Sequence, residues 1–160
     1  MKTFKDNAGR SWTVSVTVDA VKRVRSLVGI NLLDAIDGNL IERLVGDPVL
    51  LCDVLFALCR PEADRLGVSD EAFGQAMAGD ALEHATSALL EELVDFFPNP
   101  KRRLLAKALG KLRSVEARAV QVAERRLESP ELEAQIETAL AGLGSSSGNW
   151  PGSLASPPDL

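Results

Sequence analysis

The sequence has no tyrosine, a single histidine and only two cysteines in 160 residues. Without a Cys-x-x-Cys pair or a second histidine, it lacks the ligand spacing of a zinc site. Cys52 and Cys59 lie in an apolar run that predicts a helix, about 10 Å apart along its axis, which is too far for a disulfide. We therefore predict that both are small core residues and that no metal or other cofactor is bound.

The chain also lacks long apolar runs and a strong excess of charge. No run approaches the roughly 20 residues that span a bilayer, and the N-terminal residues lack the apolar stretch of a secretory signal. The formal net charge of -5 opposes a protein that coats nucleic acid, which would carry a basic excess. We expect a cytoplasmic protein with no membrane partner.

Catalytic motifs are missing as well. The chain has no Gly-x-Ser-x-Gly elbow, no Gly-x-Gly-x-x-Gly and no Walker-type Gly-Lys-Ser/Thr. Asp80 precedes His84 by one helical turn, a spacing that could orient a general base, but no nucleophile accompanies the pair. We interpret Glu91, Glu92 and Asp95 as a solvated face, because a di-metal bundle needs Glu-x-x-His pairs on separate helices. The sequence predicts no catalytic residue and a protein that is not an enzyme.

Residues 1–18 predict a β-hairpin. An extended segment over residues 3–5 is followed by turn-forming residues, and Trp12, Val14, Val16 and Val18 then alternate with polar residues. Alternation with a period of two is typical of a strand with one apolar face. Because a lone two-stranded hairpin is at best marginally stable in water, this one must pack on helices or pair with another chain. Self-association through the hairpin is therefore one hypothesis for a partner.

The rest of the chain predicts helices, delimited by capping residues, Gly and Pro. The predicted helices are 20–28, 31–46 in one or two pieces, 48–59, a short segment toward 66, one carrying 72–77, 80–97, 101–128 and 130–143. Asp19, Asp47, Ser69 and Asp80 are the predicted N-caps. We expect Leu105, Ala108, Leu112, Val115, Ala119 and Val122 to form the apolar stripe of the long helix.

The predicted fold is mainly α, with an N-terminal β-hairpin packed on a multi-helix bundle, long C-terminal helices and a disordered tail. We divide the chain into a hairpin and helical core domain over 1–100, a helical extension over 101–143 that packs on the core or projects from it, and a Gly/Ser/Pro tail over 144–160. Trp150 in this tail could serve as a docking anchor.

The helix predicted from residue 101 holds nine of the eighteen basic residues of the chain. One hypothesis is a site for nucleic acid or an acidic partner. The one we favour is an antiparallel helix hairpin in which the basic helix and the acidic stretch 62–95 have complementary surfaces, with ordinary solvated faces besides. Residues 101–126 contain no aromatic side chain on which a base could stack, so nucleic acid is not the expected partner. The candidate contacts for a partner or polyanion are Lys101, Arg102, Arg103, Lys107 and Lys111.

Five short motifs lie between residues 3 and 97. They are Thr3-Phe4-Lys5-Asp6, Gly9-Arg10-Ser11-Trp12-Thr13-Val14, Ile30-x-Leu32-Leu33, Asp47-Pro48-Val49-Leu50 and Gly67-Val68-Ser69-x-Glu71-x-Phe73. In pattern and layout, this region resembles the small tail assembly chaperones of long-tailed, siphovirus-like bacteriophages and prophages.

The resemblance implies a non-enzymatic chaperone that coats the tape-measure protein and recruits tail-tube subunits during tail morphogenesis, in the cytoplasm of the host cell. Such proteins often exist as a short form and a frameshifted long form. The family has no catalytic residues to carry over. Two alternatives stay open: a structural tail or head-completion subunit of a phage particle, and a nucleic-acid-associated regulator that uses the basic helix 101–126.

Overall fold

The computed structural model describes residues 1–144. Its elements are β1 (Lys2–Lys5), β2 (Ser11–Val14), α1 (Val18–Val28), a 3₁₀ turn (Leu32–Ala35), α2 (Leu40–Gly46), α3 (Pro48–Leu66), α4 (Asp70–Gln75), α5 (Asp80–Phe96), α6 (Lys101–Leu127) and α7 (Pro130–Gly144). This order confirms the predicted mainly α fold with an N-terminal hairpin. The tail predicted beyond Gly144, with Trp150, lies outside the described residues.

The described residues divide into two units, 1–111 and 112–144, and the boundary falls inside α6. We predicted a boundary after residue 100, before α6. The first unit holds the hydrophobic core, to which the hairpin, the 3₁₀ turn, helices α1 to α5 and the start of α6 all contribute. The second unit, as far as it is described, consists of the end of α6 and α7.

The hairpin is organised by one buried carboxylate. Oδ1 of Asp6 accepts hydrogen bonds from the backbone N–H groups of Ala8 and Arg10 at 3.0 and 2.9 Å. Oδ2 accepts from Nε of Arg10 at 2.7 Å and from Nε1 of Trp12 at 2.8 Å. Gly9 supplies the positive φ of 79° that the turn needs. This arrangement holds the register in which Phe4 faces Trp12 across the antiparallel pair.

Trp12 lies in the core, as its position on the apolar face of the hairpin predicted, and is fully buried. Its ring packs edge-on against Phe73, with ring centroids 5.0 Å apart, and Phe73 packs in turn on Phe56 at 5.4 Å. Cys59 is buried as predicted, whereas Cys52 is half-buried, and both thiols are free. The aromatic cluster thereby ties the hairpin to α3 and α4.

The predicted start of α1 was wrong in detail. Thr17, not Asp19, is the N-cap, and its hydroxyl accepts from the N–H of Ala20 at 3.2 Å. Val18 was expected on the apolar face of the hairpin, but it opens the helix and is exposed. Asp19 instead pairs with Arg23, at 2.9 Å. Only the C-terminal stop at Gly29, with a φ of 74°, is confirmed.

Helix α3 starts as predicted and ends later than predicted. Asp47 caps it through Oδ1, which accepts from the N–H groups of Val49 and Leu50. We expected the helix to stop at Pro61, but it continues to Leu66. Proline has no N–H to offer the carbonyl four residues earlier, that of Ala57. Nε of Arg23 donates to this oxygen at 2.7 Å, and the helix can therefore pass through the proline.

The prediction that Glu92 faces solvent on α5 was also wrong. Its side chain is buried, and Oε2 accepts from the backbone N–H of Val16 at 3.3 Å. Oε1 lies 2.5 Å from the amino nitrogen of Met1. The carboxylate thus joins α5 to the segment that follows the hairpin. Gly79, rather than Asp80, is the N-cap of α5.

Candidate interaction surface

The described part of the second unit is two helices with almost no buried side chain. From residue 112 to residue 144, Leu112, Ser129 and Leu132 are partly covered and every other residue is exposed. Leu105 and Leu109 are the buried residues of α6 and lie in the first unit. Of the predicted apolar stripe of α6, Leu105 is buried, whereas Val115, Ala119 and Val122 are exposed.

Each helix of this unit nevertheless carries an apolar stripe at helical spacing. The α6 stripe comprises Leu112, Val115, Ala119 and Val122, and the α7 stripe comprises Leu132, Ile136, Leu140 and Leu143. Val115 and Leu140 are each 62% exposed, and Leu143 is 72% exposed. Isolated exposed apolar residues are ordinary, but rows of them along two helices are not, and we therefore treat the two stripes as the candidate interaction surface.

The two helices also differ in charge. Residues 112–127 hold four arginines and two glutamates, whereas residues 128–144 hold four glutamates and no basic residue. Helical geometry places Arg118 and Arg125 beside the α6 stripe, and Glu133 and Glu137 beside the α7 stripe. Glu116 lies on the other side of the α6 stripe, so the charge around that stripe is mixed with a net positive sign, whereas every charged residue of α7 is negative.

The five basic residues singled out by the sequence do not form a single group. Lys101, Arg102, Arg103, Lys107 and Lys111 are all exposed, in the first half of α6. Arg102 contacts the end of α5, where its guanidinium donates to the carbonyl oxygens of Phe97 and Asp95 at 3.0 and 2.7 Å. Arg103, Lys107 and Lys111 recur at four-residue intervals and make a row opposite the buried Leu105.

A groove lies along β1 and α5, which contact each other. It is lined by Lys2, Thr3, Lys5, His84 and Glu91, among others. Lys2 closes one end through an ion pair with Glu91 at 3.0 Å, and this hydrogen-bonded pairing raises the pKa of Lys2 above its ordinary value. The groove places His84 on an open wall of α5 beside the hairpin.

The edge of β2 that faces away from β1 is covered by α3. The backbone N–H of Thr13 donates to Oε2 of Glu62 at 2.9 Å, and the thiol of Cys59 approaches the carbonyl oxygen of Thr13 at 3.6 Å. A second chain that paired with the hairpin as an added strand would therefore have to use β1. The hypothesis of self-association through the hairpin stays a prediction.

The two thiols are poor nucleophiles in this environment. Burial raises the pKa of Cys59 to about 12 and that of Cys52 to about 11. Since the thiolate is the reactive form, both remain largely unreactive at neutral pH. Within residues 1–144, no group of three or more His, Cys, Asp and Glu side chains is placed to hold a metal ion. None of the helices in this range has the length and apolarity needed to cross a bilayer.

No protein-family model, curated protein or solved structure matches the chain. The relation to tail assembly chaperones therefore stays a prediction that rests on the five motifs. Much of what those motifs contain has a structural role: Asp6 organises the hairpin, Asp47 and Ser69 cap helices, and Trp12 and Phe73 fill the core. The surface of the second unit lies outside all five motifs.

The exposure of the two stripes could not be found from the sequence. An apolar stripe at helical spacing has the same pattern whether it faces its own core or a partner. The available signal was the weakness of the stripes: Ala119 is small, and neither helix contains an aromatic residue beyond residue 112.

Proposed function

We propose that this protein is a non-enzymatic assembly chaperone that binds an apolar, helical client through the stripes of α6 and α7. The observation that supports this proposal is the exposure of every residue from 113 to 128 and from 133 to 144. A helical extension that buries nothing of its own has its apolar side chains available to a partner. We attribute the function to this surface.

A helical client fits the spacing of the apolar side chains. Side chains that recur every three or four residues form ridges that interdigitate with those of another helix, as in helix-in-groove recognition. Covering a half-exposed Val, Ile or Leu contributes about 1 kcal/mol each, so the two stripes together can support reversible binding but not permanent attachment. A chaperone that leaves its client during assembly needs such moderate affinity.

The resemblance of residues 3–97 to tail assembly chaperones supplies the identity of the client. On this proposal the partners are the tape-measure protein, which is long and helical, and the tail-tube protein, and binding takes place in the host-cell cytoplasm. The mainly α fold with an N-terminal hairpin is compatible with this role. The first unit then serves as the folded base from which the chaperone recruits further subunits.

The test is co-expression of the tagged full chain with each product of the neighbouring genes, followed by affinity capture at moderate and high salt. We expect recovery of a long helical protein or a tail-tube subunit. Recovery of neither protein contradicts the chaperone proposal. If the chain is instead found as a stoichiometric component of purified particles, the proposal is also contradicted and a structural subunit is favoured.

A matched pair of variants assigns the binding to the stripes. Val115→Glu with Ile136→Glu places a charge on each stripe and should abolish capture of the client. Gln121→Glu with Thr138→Glu adds the same charge on the opposite sides of the two helices and should leave capture unchanged. Unchanged capture by the stripe variant would mean that the client binds elsewhere on the protein.

A second candidate function is favoured by the row of Arg103, Lys107 and Lys111. Three exposed cations along one helix face suit a polyanion, as in a nucleic-acid-associated regulator. Binding of duplex DNA and single-stranded RNA should then weaken steeply with salt, and replacement of all three by Gln should reduce the salt dependence. Affinity that does not change on this replacement eliminates the regulator.

A further inference from the structure

The two apolar stripes of the second unit do not cover each other. Ile136, Leu140 and Leu143 on α7 are 50%, 62% and 72% exposed, and Val115 and Val122 on α6 are 62% and 50% exposed. In an isolated chain both stripes would therefore remain in contact with water. Something in solution is expected to cover them when no client is present.

The charges beside the stripes indicate what that partner is. Arg118 and Arg125 border the α6 stripe, and Glu133 and Glu137 border the α7 stripe. Pairing α6 with α6 of another copy would bring together two helices of net positive charge, and pairing α7 with α7 would bring together two helices whose charged residues are all glutamates. Pairing α6 with α7 of another copy places opposite charges beside a shared apolar seam, which is the arrangement that fixes partner choice in coiled coils.

We propose that a second copy of this chain covers the two stripes, with α7 of each copy lying on α6 of the other. The contact is then isologous: α6 meets α7 of the partner, and α7 meets α6 of the partner, about one two-fold axis. Both stripes of both copies are covered at once, and no apolar face is left to extend the assembly into a filament. The closed state is a homodimer.

This dimer goes beyond the proposed function, because it concerns the chain alone and is measured without any client. If the chaperone proposal also holds, dimer and client use the same stripes, and the client must displace the second copy. If no client is captured, the dimer proposal is unaffected. If the protein is monomeric without its client, the chaperone proposal is unaffected.

The first measurement is sedimentation velocity of the full chain over a wide range of concentration. We expect the mass to rise with concentration from that of one 17.1 kDa chain toward that of two chains. Val122→Glu with Leu140→Glu, which charges both stripes, should hold the protein as a monomer throughout. Gln121→Glu with Thr138→Glu, which adds the same charge away from the stripes, should dimerise as the native protein does.

The second measurement is a charge exchange that tests which helices meet. The first variant carries Arg118→Glu and Arg125→Glu on α6, and the second carries Glu133→Arg and Glu137→Arg on α7. Each alone places like charges on both sides of the seam and should weaken dimerisation by about tenfold at low salt. An equimolar mixture of the two variants restores opposite charges at both contacts and should form a heterodimer with the native affinity.

The outcomes separate the arrangements. A native protein that stays monomeric at every concentration overturns the dimer. If the native protein dimerises and neither variant changes its affinity, the contact between α6 and α7 is overturned. In an α6–α6 pairing, for example, replacing arginine by glutamate on α6 exchanges one pair of like charges for another. Far-ultraviolet circular dichroism of each variant verifies that the helices are retained, so that loss of dimer cannot be attributed to unfolding.

Discussion

Arg23 donates a hydrogen bond from Nε to the carbonyl oxygen of Ala57 at 2.7 Å, where Pro61 leaves that oxygen without its helical donor. A second nitrogen of the same guanidinium donates to the carbonyl oxygen of Leu58 at 3.3 Å. Proline within a helix usually ends or kinks it, because the i to i-4 hydrogen bond is lost. In this protein a side chain from α1 replaces the lost donor and lets α3 run on to Leu66.

The first prediction is that Arg23 and Pro61 are energetically coupled. Arg23→Met should lower the free energy of unfolding by about 1–2 kcal/mol, since it leaves the Ala57 carbonyl without a donor in a partly buried site. In a Pro61→Ala background the backbone N–H of residue 61 supplies that donor, and the same substitution should have a smaller effect. Urea denaturation of the four proteins of this double-mutant cycle measures the difference.

The control for this cycle is Asp19→Asn. It removes the ion pair between Arg23 and the well exposed Asp19, and should change stability by no more than about 0.5 kcal/mol. An equal effect of Arg23→Met with and without Pro61 would show that the guanidinium does not substitute for the missing N–H.

Local signals were sufficient for many of the helix ends. Asp47 followed by Pro48, Ser69 and Gly29 each act on backbone groups within a few residues, and these caps lie where the sequence placed them. The same holds for the alternation that placed Trp12 on the buried face of the hairpin. Features of this kind could be predicted because sequence neighbours determine them.

Two of the errors arose where the deciding partner is distant in sequence, unlike the misplaced caps of α1 and α5, which are local. Glu92 is buried because the N–H of Val16 donates to it, and Pro61 is tolerated because Arg23 reaches its helix. Neither partner is visible in a local pattern. The candidate surface could not be predicted for another reason: the spacing of Val115 and Val122 is equally compatible with a core and with a partner helix.

A second prediction concerns acid stability through Asp6. Burial acts to raise its pKa, but the hydrogen bonds from Trp12 and Arg10 outweigh that effect and hold the pKa of Asp6 below its ordinary value. As pH falls, the Asp6 carboxylate is therefore protonated at a higher pH in the unfolded chain than in the folded protein. The stabilisation by Asp6 is complete above the unfolded pKa and is lost as pH falls through the folded pKa.

Asp6→Asn should accordingly lower the free energy of unfolding at neutral pH by about 2–3 kcal/mol, because charged hydrogen bonds in a buried site are replaced by weaker ones. Below the unfolded pKa of Asp6, the difference between variant and native protein should shrink as pH falls. Chemical denaturation at a series of pH values measures it. A difference that stays constant down to acid pH would mean that the charge of Asp6 has no part in the effect.

The third prediction is that the thiol of Cys59 does not react with thiol reagents in the native protein. Its pKa of about 12 and its burial keep it protonated and inaccessible at neutral pH. In the Cys52→Ser variant, which leaves Cys59 as the single thiol, a disulfide reagent should react only after denaturant is added. Rapid modification of this folded variant would show that the core around Cys59 opens on the time scale of the reaction.

The last prediction separates two neighbouring arginines. Arg102 donates to the carbonyl oxygens of Phe97 and Asp95 at the end of α5, so Arg102→Gln should lower the free energy of unfolding by about 1 kcal/mol. Arg103 belongs to the exposed row with Lys107 and Lys111, and Arg103→Gln should stay within about 0.5 kcal/mol of the native protein. Thermal and urea unfolding of both variants measures the two changes in stability. If the two replacements have equal effects, Arg102 does not cap α5 in solution, and it then joins Arg103 as a side chain available to a partner.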